Sequence, residues 1–168
     1  MVSEPVVTIR AAEHHDVGEV VGAYEWLFAA PGIRPAGWEP RRAAAALSRV
    51  IVSDVAAVLI AELDSALVGF CTVYVDFESV RFGKRAWVED LAVHPDHRSH
   101  RSGKRLLNEA KDWARAHGSA RIELESAEAR KVLLAVSQIG SYSPLVQSKA
   151  GVAQRGRGHR ARHCCRAF

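Results

Sequence analysis

Cysteine is scarce: three residues in 168, Cys71, Cys164 and Cys165, with no C-x-x-C pair. A sparse, odd set argues against a disulfide framework and against a thiolate zinc site, and makes a reducing, cytoplasmic setting the default. Long apolar runs are also absent. None approaches the roughly 18 residues a membrane helix needs, so no membrane-spanning segment and no membrane partner are expected. The opening Met1-Val2-Ser3-Glu4-Pro5 lacks the basic-then-apolar layout of a secretory leader. Acid is missing from one end of the chain. Residues 129–168 hold eight Lys/Arg and no Asp or Glu, a net of +8, whereas residues 1–128 hold all 19 acids against 15 Lys/Arg, a net of −4. The overall +4 therefore averages two chemically different pieces. What remains, 48% apolar and 25% charged over 168 residues, is enough for one globular domain with a real core.

Hydrophobic periodicity predicts a mixed α/β domain. Residues 6–9 read as a short strand. Over 14–28 the apolar positions Val17, Val20, Val21, Tyr24, Leu27 and Phe28 fall at helical spacing. Residues 30–38, with two Pro and two Gly, form a loop, and a second helix runs from Pro40, a good first helical residue, to 52. The period then changes to that of strands at 56–63 and 66–77, a hairpin turning at Asp64-Ser65, followed by a loop at 79–84 and a strand at 86–93. A break at 94–97 precedes a helix at 102–117, closed by Gly118, and a strand at 121–126. The order is β-α-α-β-β-β-α-β. Its strand–helix–strand passage from 86 to 126 requires two roughly parallel strands. A further helix is expected over 129–138.

The segment Val88-Glu89-Asp90-Leu91-Ala92-Val93-His94-Pro95-Asp96-His97-Arg98-Ser99-His100-Arg101-Ser102-Gly103-Lys104-Arg105 concentrates the chemistry. A strand feeding a polar turn that opens a helix aims several unpaired N–H groups at one spot, and the helix dipole adds about half a positive charge there. Arg98, Arg101, Lys104 and Arg105 crowd the same place, although cations at a helix start oppose its dipole. A bound phosphate or pyrophosphate would reconcile the two, and Gly103 would allow its close approach. The alternative is a solvated basic helix entry.

This segment resembles the acetyl-coenzyme-A-binding motif of the GCN5-related N-acetyltransferases (GNAT), in which L-x-V-x-P-x-x-R is followed by R/Q-x-x-G-x-G/A and a helix. Leu91-Ala92-Val93-His94-Pro95-Asp96-His97-Arg98 fits the first part. In the second part Arg101 replaces the first glycine, and Gly103 matches the second. The element order resembles the family over about residues 5–128. The resemblance implies a GNAT-like acyl-CoA N-acyltransferase fold with a splayed mixed sheet and acetyl-CoA between the fourth and fifth strands. The backbone of Leu91, Ala92 and Val93 would pair with the pantetheine arm. Arg98, Ser99, His100, Arg101, Ser102, Gly103 and Lys104 would hold the pyrophosphate.

Direct acetylation of an amine requires a base, and related enzymes place a Glu on this strand. Glu89 is the candidate. Strand alternation predicts that Glu89 and Asp90 face opposite sides, so that only one reaches the site. Either could instead be a solvated strand carboxylate. The resemblance also implies an acceptor wall near Glu25, Trp26, Trp38, Asp76, Phe77 and Glu78, where aromatic faces and carboxylates suit a cationic amine. The opposing reading has Trp26 in the core and the carboxylates in water. Cys71 reads as a buried strand residue. Asp96, His97 and His100 are assigned to the phosphate turn, with no metal.

The family's next helix usually carries a Tyr that protonates the departing thiolate. Ser137 stands roughly at that place, and the nearest phenol is Tyr142. Residues 154–168 show the Arg/Gly/Ala/His bias of G·C-rich DNA read out of frame. The resemblance thus divides the chain into an acetyltransferase core, 1–128, and an atypical basic segment of the same domain, 129–168, aberrant or exchanged between copies as in a homodimer. The leading function is an N-acetyltransferase moving an acetyl group from acetyl-CoA to a primary amine of a small molecule or peptide. The alternatives are a catalytically impaired acyl-CoA-binding relative and nucleic-acid binding through the tail. The last is disfavoured because the tail lacks interleaved aromatics.

Overall fold

The computed structural model describes residues 6–81, 83–124 and 137–138. Its centre is one mixed sheet in which neighbours in sequence are neighbours in space, β1-β2-β3-β4-β5-β6. The strands are β1 (Thr8–Ala11), β2 (Ala56–Leu63), β3 (Ala66–Val75), β4 (Arg85–Val93), β5 (Arg121–Leu124) and β6 (Ser137–Gln138). All pairings are antiparallel except β4 with β5, which is parallel and crosses over through α3 (Ser102–Ala116). The parallel pair follows from the strand–helix–strand passage predicted above.

Helices cover both faces. Against one lie α1 (Val17–Phe28) and α2 (Pro40–Ile51), whose Val17, Val20, Ala23 and Leu47 pack with Val58, Ile60, Phe70 and Ala92 of the sheet. Against the other lies α3, whose Leu106, Leu107, Ala110 and Ala114 meet Leu59, Ala61, Cys71, Val73, Ala86, Val88 and Ile122. Consecutive β2 residues thus serve different helices, which is why this strand reads as a continuous apolar run rather than an alternating one. Full burial of a residue such as Phe70 or Leu106, each 0% exposed, contributes roughly 1.5–3 kcal/mol.

Local chemistry sets the boundaries. Glu39 caps α2, its carboxylate accepting from the N–H of Arg41 (3.1 Å) and Arg42 (3.0 Å), with Pro40 in the first turn. The β2–β3 turn places Asp64 (φ 50°) and Ser65 (φ 66°) both in the left-handed region, as a tight two-residue hairpin requires. Residues 14–28 form two pieces rather than one helix: a 3-10 turn, His14–Asp16, then α1. Asp16 separates them by accepting from the Glu13 N–H (2.7 Å) while Arg10 grips its carboxylate (2.7 and 2.9 Å). The same Arg10 bonds Glu62, which holds β1 in register over Thr8–Ala11 rather than 6–9.

The expected helix over 129–138 is corrected at its end. Ser137–Gln138 is strand, pairing antiparallel with Ile122 and Arg121 and closing the β5 edge that β4 does not cover. Residues 129–136 lie outside the described residues. Among those described, no helix is long and apolar enough to cross a membrane.

Candidate active site

The site begins with an irregularity in β4. Pairing with β3 runs Val73↔Val88 and then Thr72↔Asp90, so Glu89 is the extra residue of a β-bulge. The bulge resets the side-chain alternation. Val88 packs in the α3 cluster, as does Leu91 three residues later, while Ala92 belongs to the α1/α2 side. The expectation that Glu89 and Asp90 face opposite sides is therefore wrong: both line the same cavity. Among the described residues the ladder from β4 to β5 spans only Arg85–Val88, and Leu91, Ala92 and Val93 lie beyond its end.

The cavity, about 870 Å³, sits between α1, α2 and the β3–β4 part of the sheet. Its wall is largely apolar, built from Leu27, Ile33, Leu47, Val50 and Leu91, with Tyr24, Phe28, Trp38 and Tyr74 adding aromatic faces. Tyr24 is the hub of that aromatic group, with ring centroids 4.9 Å from Trp38 and 4.8 Å from Phe70, and Trp38 meets Phe28 edge-on at 4.7 Å.

Beneath the aromatics lies a polar knot. The Tyr24 hydroxyl donates to Asp90 Oδ2 (2.8 Å), Thr72 Oγ1 donates to the same oxygen (3.4 Å), and the Asp90 N–H donates to Thr72 Oγ1 (3.0 Å). Burial pushes the Asp90 carboxyl above the usual carboxylate range, although both hydroxyls favour its charged form. Burial, reinforced by the charge of Asp90, pushes the Tyr24 phenol far up. Tyr24 is thus a fixed hydrogen-bond donor and a poor proton source. Cys71, fully buried behind this group, is pushed up to about 12 by desolvation and is inert.

Past β4 the chain makes a 3-10 turn, Pro95–His100, and enters α3 through Arg101, whose φ of 57° is left-handed. That backbone state explains why a glycine suits this place; in a non-glycine residue it costs roughly 1–2 kcal/mol. No side chain caps α3 and no acid stands in its first turn. The N–H groups of Ser102, Gly103 and Lys104 consequently have no intrahelical acceptor. The buried hydroxyl of Ser102 likewise finds no partner among the described residues. Such an entry suits an anion. Arg98 folds back so that its Nε lies 3.5 Å from the Val93 carbonyl. At Gly103 a Cβ would meet Val93 Cγ2 at 3.4 Å, an ordinary contact, so α3 starts close against β4.

The sequence model of the Acetyltransferase (GNAT) family matches residues 16–136. The chain belongs to that family. The match runs past the point where the charge of the chain changes sign. Among GNAT relatives, the chain is 36% identical over 69 residues to the uncharacterized N-acetyltransferase YhfO of Bacillus subtilis (strain 168). That stretch is 41% of this chain and 46% of the relative, so the chain spans less than half of it. The fold is similar to that of the aminoglycoside N-acetyltransferase AAC(6')-Iy in complex with CoA (TM-score 0.66, 17% identity, 77% of this chain and 82% of that one). It is also similar to a predicted acetyltransferase with acetyl-CoA from Clostridium acetobutylicum (TM-score 0.66, 15% identity, 75% and 84%).

Within this GNAT fold the predicted residues separate. Leu91, Ala92 and Val93 close β4, Arg98, Ser99 and His100 lie on the 3-10 turn, and Arg101, Ser102, Gly103 and Lys104 open α3, so the cofactor set is contiguous in space. Of the acceptor wall, Trp38 lines the cavity beside Glu89 and Asp90. Glu25, Trp26, Asp76, Phe77 and Glu78 do not. Glu25 is ion-paired with Arg34, Asp76 with Arg85 (2.6 Å), Trp26 stands edge-on to His94 (5.0 Å), and Phe77 is exposed. Tyr142 and the basic tail lie outside the described residues. Tyr24, Thr72 and Tyr74 join the site although the sequence does not mark them for it: Tyr24 stands out only as part of the apolar stripe of α1, and nothing local marks Thr72. Among the described residues no three His, Cys, Asp or Glu cluster as metal ligands.

Proposed function

We propose that the chain is an acetyl-CoA-dependent N-acetyltransferase acting on a primary amine. The observation that carries the reading is the meeting of two features at one end of β4: the bulge that turns Glu89 and Asp90 into a single cavity, and the uncapped entry to α3. The CoA and acetyl-CoA held by two proteins of similar fold support the choice of donor.

The residues fit that donor. The N–H groups of Ser102–Lys104, the Ser102 hydroxyl and the guanidinium of Arg98 suit its pyrophosphate, and the main chain of Leu91–Val93 suits its amide-bearing arm. When bound, the donor supplies an activated acetyl thioester. Glu89, more open to the cavity than Asp90, takes a proton from the ammonium and leaves a neutral amine whose lone pair can attack. As the nitrogen–carbonyl carbon bond forms and the carbon–sulfur bond breaks, the second proton of the nitrogen would pass to the departing thiolate, so that the donor would be released as the free thiol. Asp90, tied to Tyr24 and Thr72, supplies fixed negative charge that holds the cation next to Glu89.

The test is thiol release from acetyl-CoA in the presence of a panel of primary amines. Turnover that falls roughly 10²–10⁴-fold in Glu89→Gln, with acetyl-CoA binding intact, is the expected result. Binding of acetyl-CoA without turnover on any amine would instead support the impaired acyl-CoA-binding reading, to which Arg101 at the glycine position lends weight.

A further inference from the structure

The wall of the cavity discriminates among amines. Among the described residues its ionisable carboxylates are Glu89 and Asp90, adjacent on β4, and no Lys or Arg of those residues lines it. The two carboxylates that could have served a second ammonium lie outside it and are committed elsewhere, Glu25 to Arg34 and Asp76 to Arg85. Arg34 also caps Phe28 (5.2 Å to the ring centroid), which ties the 30–38 loop to α1 and keeps Trp38 against Tyr24. Away from the carboxylates the wall is Leu27, Ile33, Leu47 and Val50. One cation is therefore well served at one end, and further cations would lie against aliphatic side chains with no carboxylate partner among the described residues.

We propose that the acceptor is a primary amine carried on a single apolar, ring-sized body, its ammonium against Glu89 and Asp90 and its body among Tyr24, Phe28 and Trp38. This rests on the acetyl-transfer reading for the reaction, but not for the binding. An ammonium flanked by carboxylates and aromatic faces gains charge attraction and cation–π contact together, while the body buries apolar surface. Polyamines and aminoglycosides, with cations spread along their length, fit poorly.

The experiment is calorimetric titration of the full chain with 2-phenylethylamine, its neutral isostere 2-phenylethanol, and spermidine, with acetyl-CoA titrated separately into the same preparation. The expected result is that phenylethylamine binds at least about tenfold more tightly than either of the others, and that Trp38→Ala weakens it about tenfold. Because Ile33 is 85% exposed, Ile33→Asp adds a third carboxylate to the wall, away from the first two and without touching the core, and it should raise spermidine affinity severalfold. Spermidine binding as tightly as phenylethylamine, phenylethanol binding as tightly as the amine, or no phenylethylamine binding at about 10 mM would each overturn the proposal. If acetyl-CoA still binds in those cases, the acetyl-transfer reading survives on its own. Phenylethylamine binding without acetyl-CoA binding would mean the reverse.

Discussion

Two carboxylates, Asp16 and Asp90, are displaced in opposite directions and therefore make opposite contributions to stability against pH. Arg10, hydrogen-bonded to Asp16, holds its carboxyl below the usual range. A depressed native value contributes stability that is fully present above the unfolded value of about 3.9 and is lost as pH falls through the native one. Asp16→Asn should cost about 1–3 kcal/mol at pH 7 and much less near pH 3. Asp90 is raised by burial, so its contribution is fully present below about 3.9 and is lost as pH rises through the native value. Asp90→Asn, which keeps an acceptor for Tyr24, should therefore be more stabilising, or less destabilising, at pH 7 than at pH 4. Urea unfolding of both variants at the two pH values checks the signs. The residues that bond Asp16, Arg10 and Glu13, stand close to it in sequence, whereas Tyr24 and Asp90 are 66 residues apart and meet only because α1 packs on β4. Only the first kind of partnership is legible in a sequence. The bulge at Glu89 was hidden for a related reason: it is a property of the register with β3, and alternation read along one strand has no access to it.

At the scale of elements, the passage from β4 through the 3-10 turn to α3 was legible because its signals are local: an apolar strand, Pro95, and the apolar spacing of Leu106, Leu107 and Ala110. Its tight docking was not. At Gly69 on β3 an added Cβ would stand 3.1 Å from both the Ala92 carbonyl oxygen and Leu106 Cδ1, so a methyl group fits there only if α3 and the end of β4 give way by a few tenths of an ångström. Gly69→Ala should destabilise by about 1–3 kcal/mol and, by shifting Ala92 relative to α3, weaken acetyl-CoA binding as well. Arg101 offers the opposite case. Replacing a left-handed arginine by glycine relieves about 1–2 kcal/mol of backbone cost and is partly offset by the greater unfolded-state freedom of glycine. Arg101→Gly should come out more stable by about 0.5–1 kcal/mol in chemical denaturation. A loss of stability would mean that the Arg101 side chain contributes more than its backbone costs. The acceptor wall was the least legible element. Glu25 and Asp76 look like substrate carboxylates until Arg34 and Arg85, brought to them by the fold, are seen to neutralise them.

Across the whole molecule, the parallel pair β4–β5 interrupts an otherwise antiparallel sheet, and its strands stay paired only over Arg85–Val88 among the described residues. Beyond Val88 the end of β4 runs between the entry to α3 and the acidic, aromatic cavity, and the function proposed for the chain depends on acetyl-CoA binding there. The most direct measurement is thermal unfolding with and without acetyl-CoA, on the full chain and on Arg98→Ala. At about 100 times Kd, binding adds roughly 2.7 kcal/mol, which for a chain of this size is a rise in Tm of several degrees. The account predicts that rise, and predicts that Arg98→Ala diminishes it. An unchanged Tm at millimolar acetyl-CoA, in a chain that unfolds cooperatively, would contradict it.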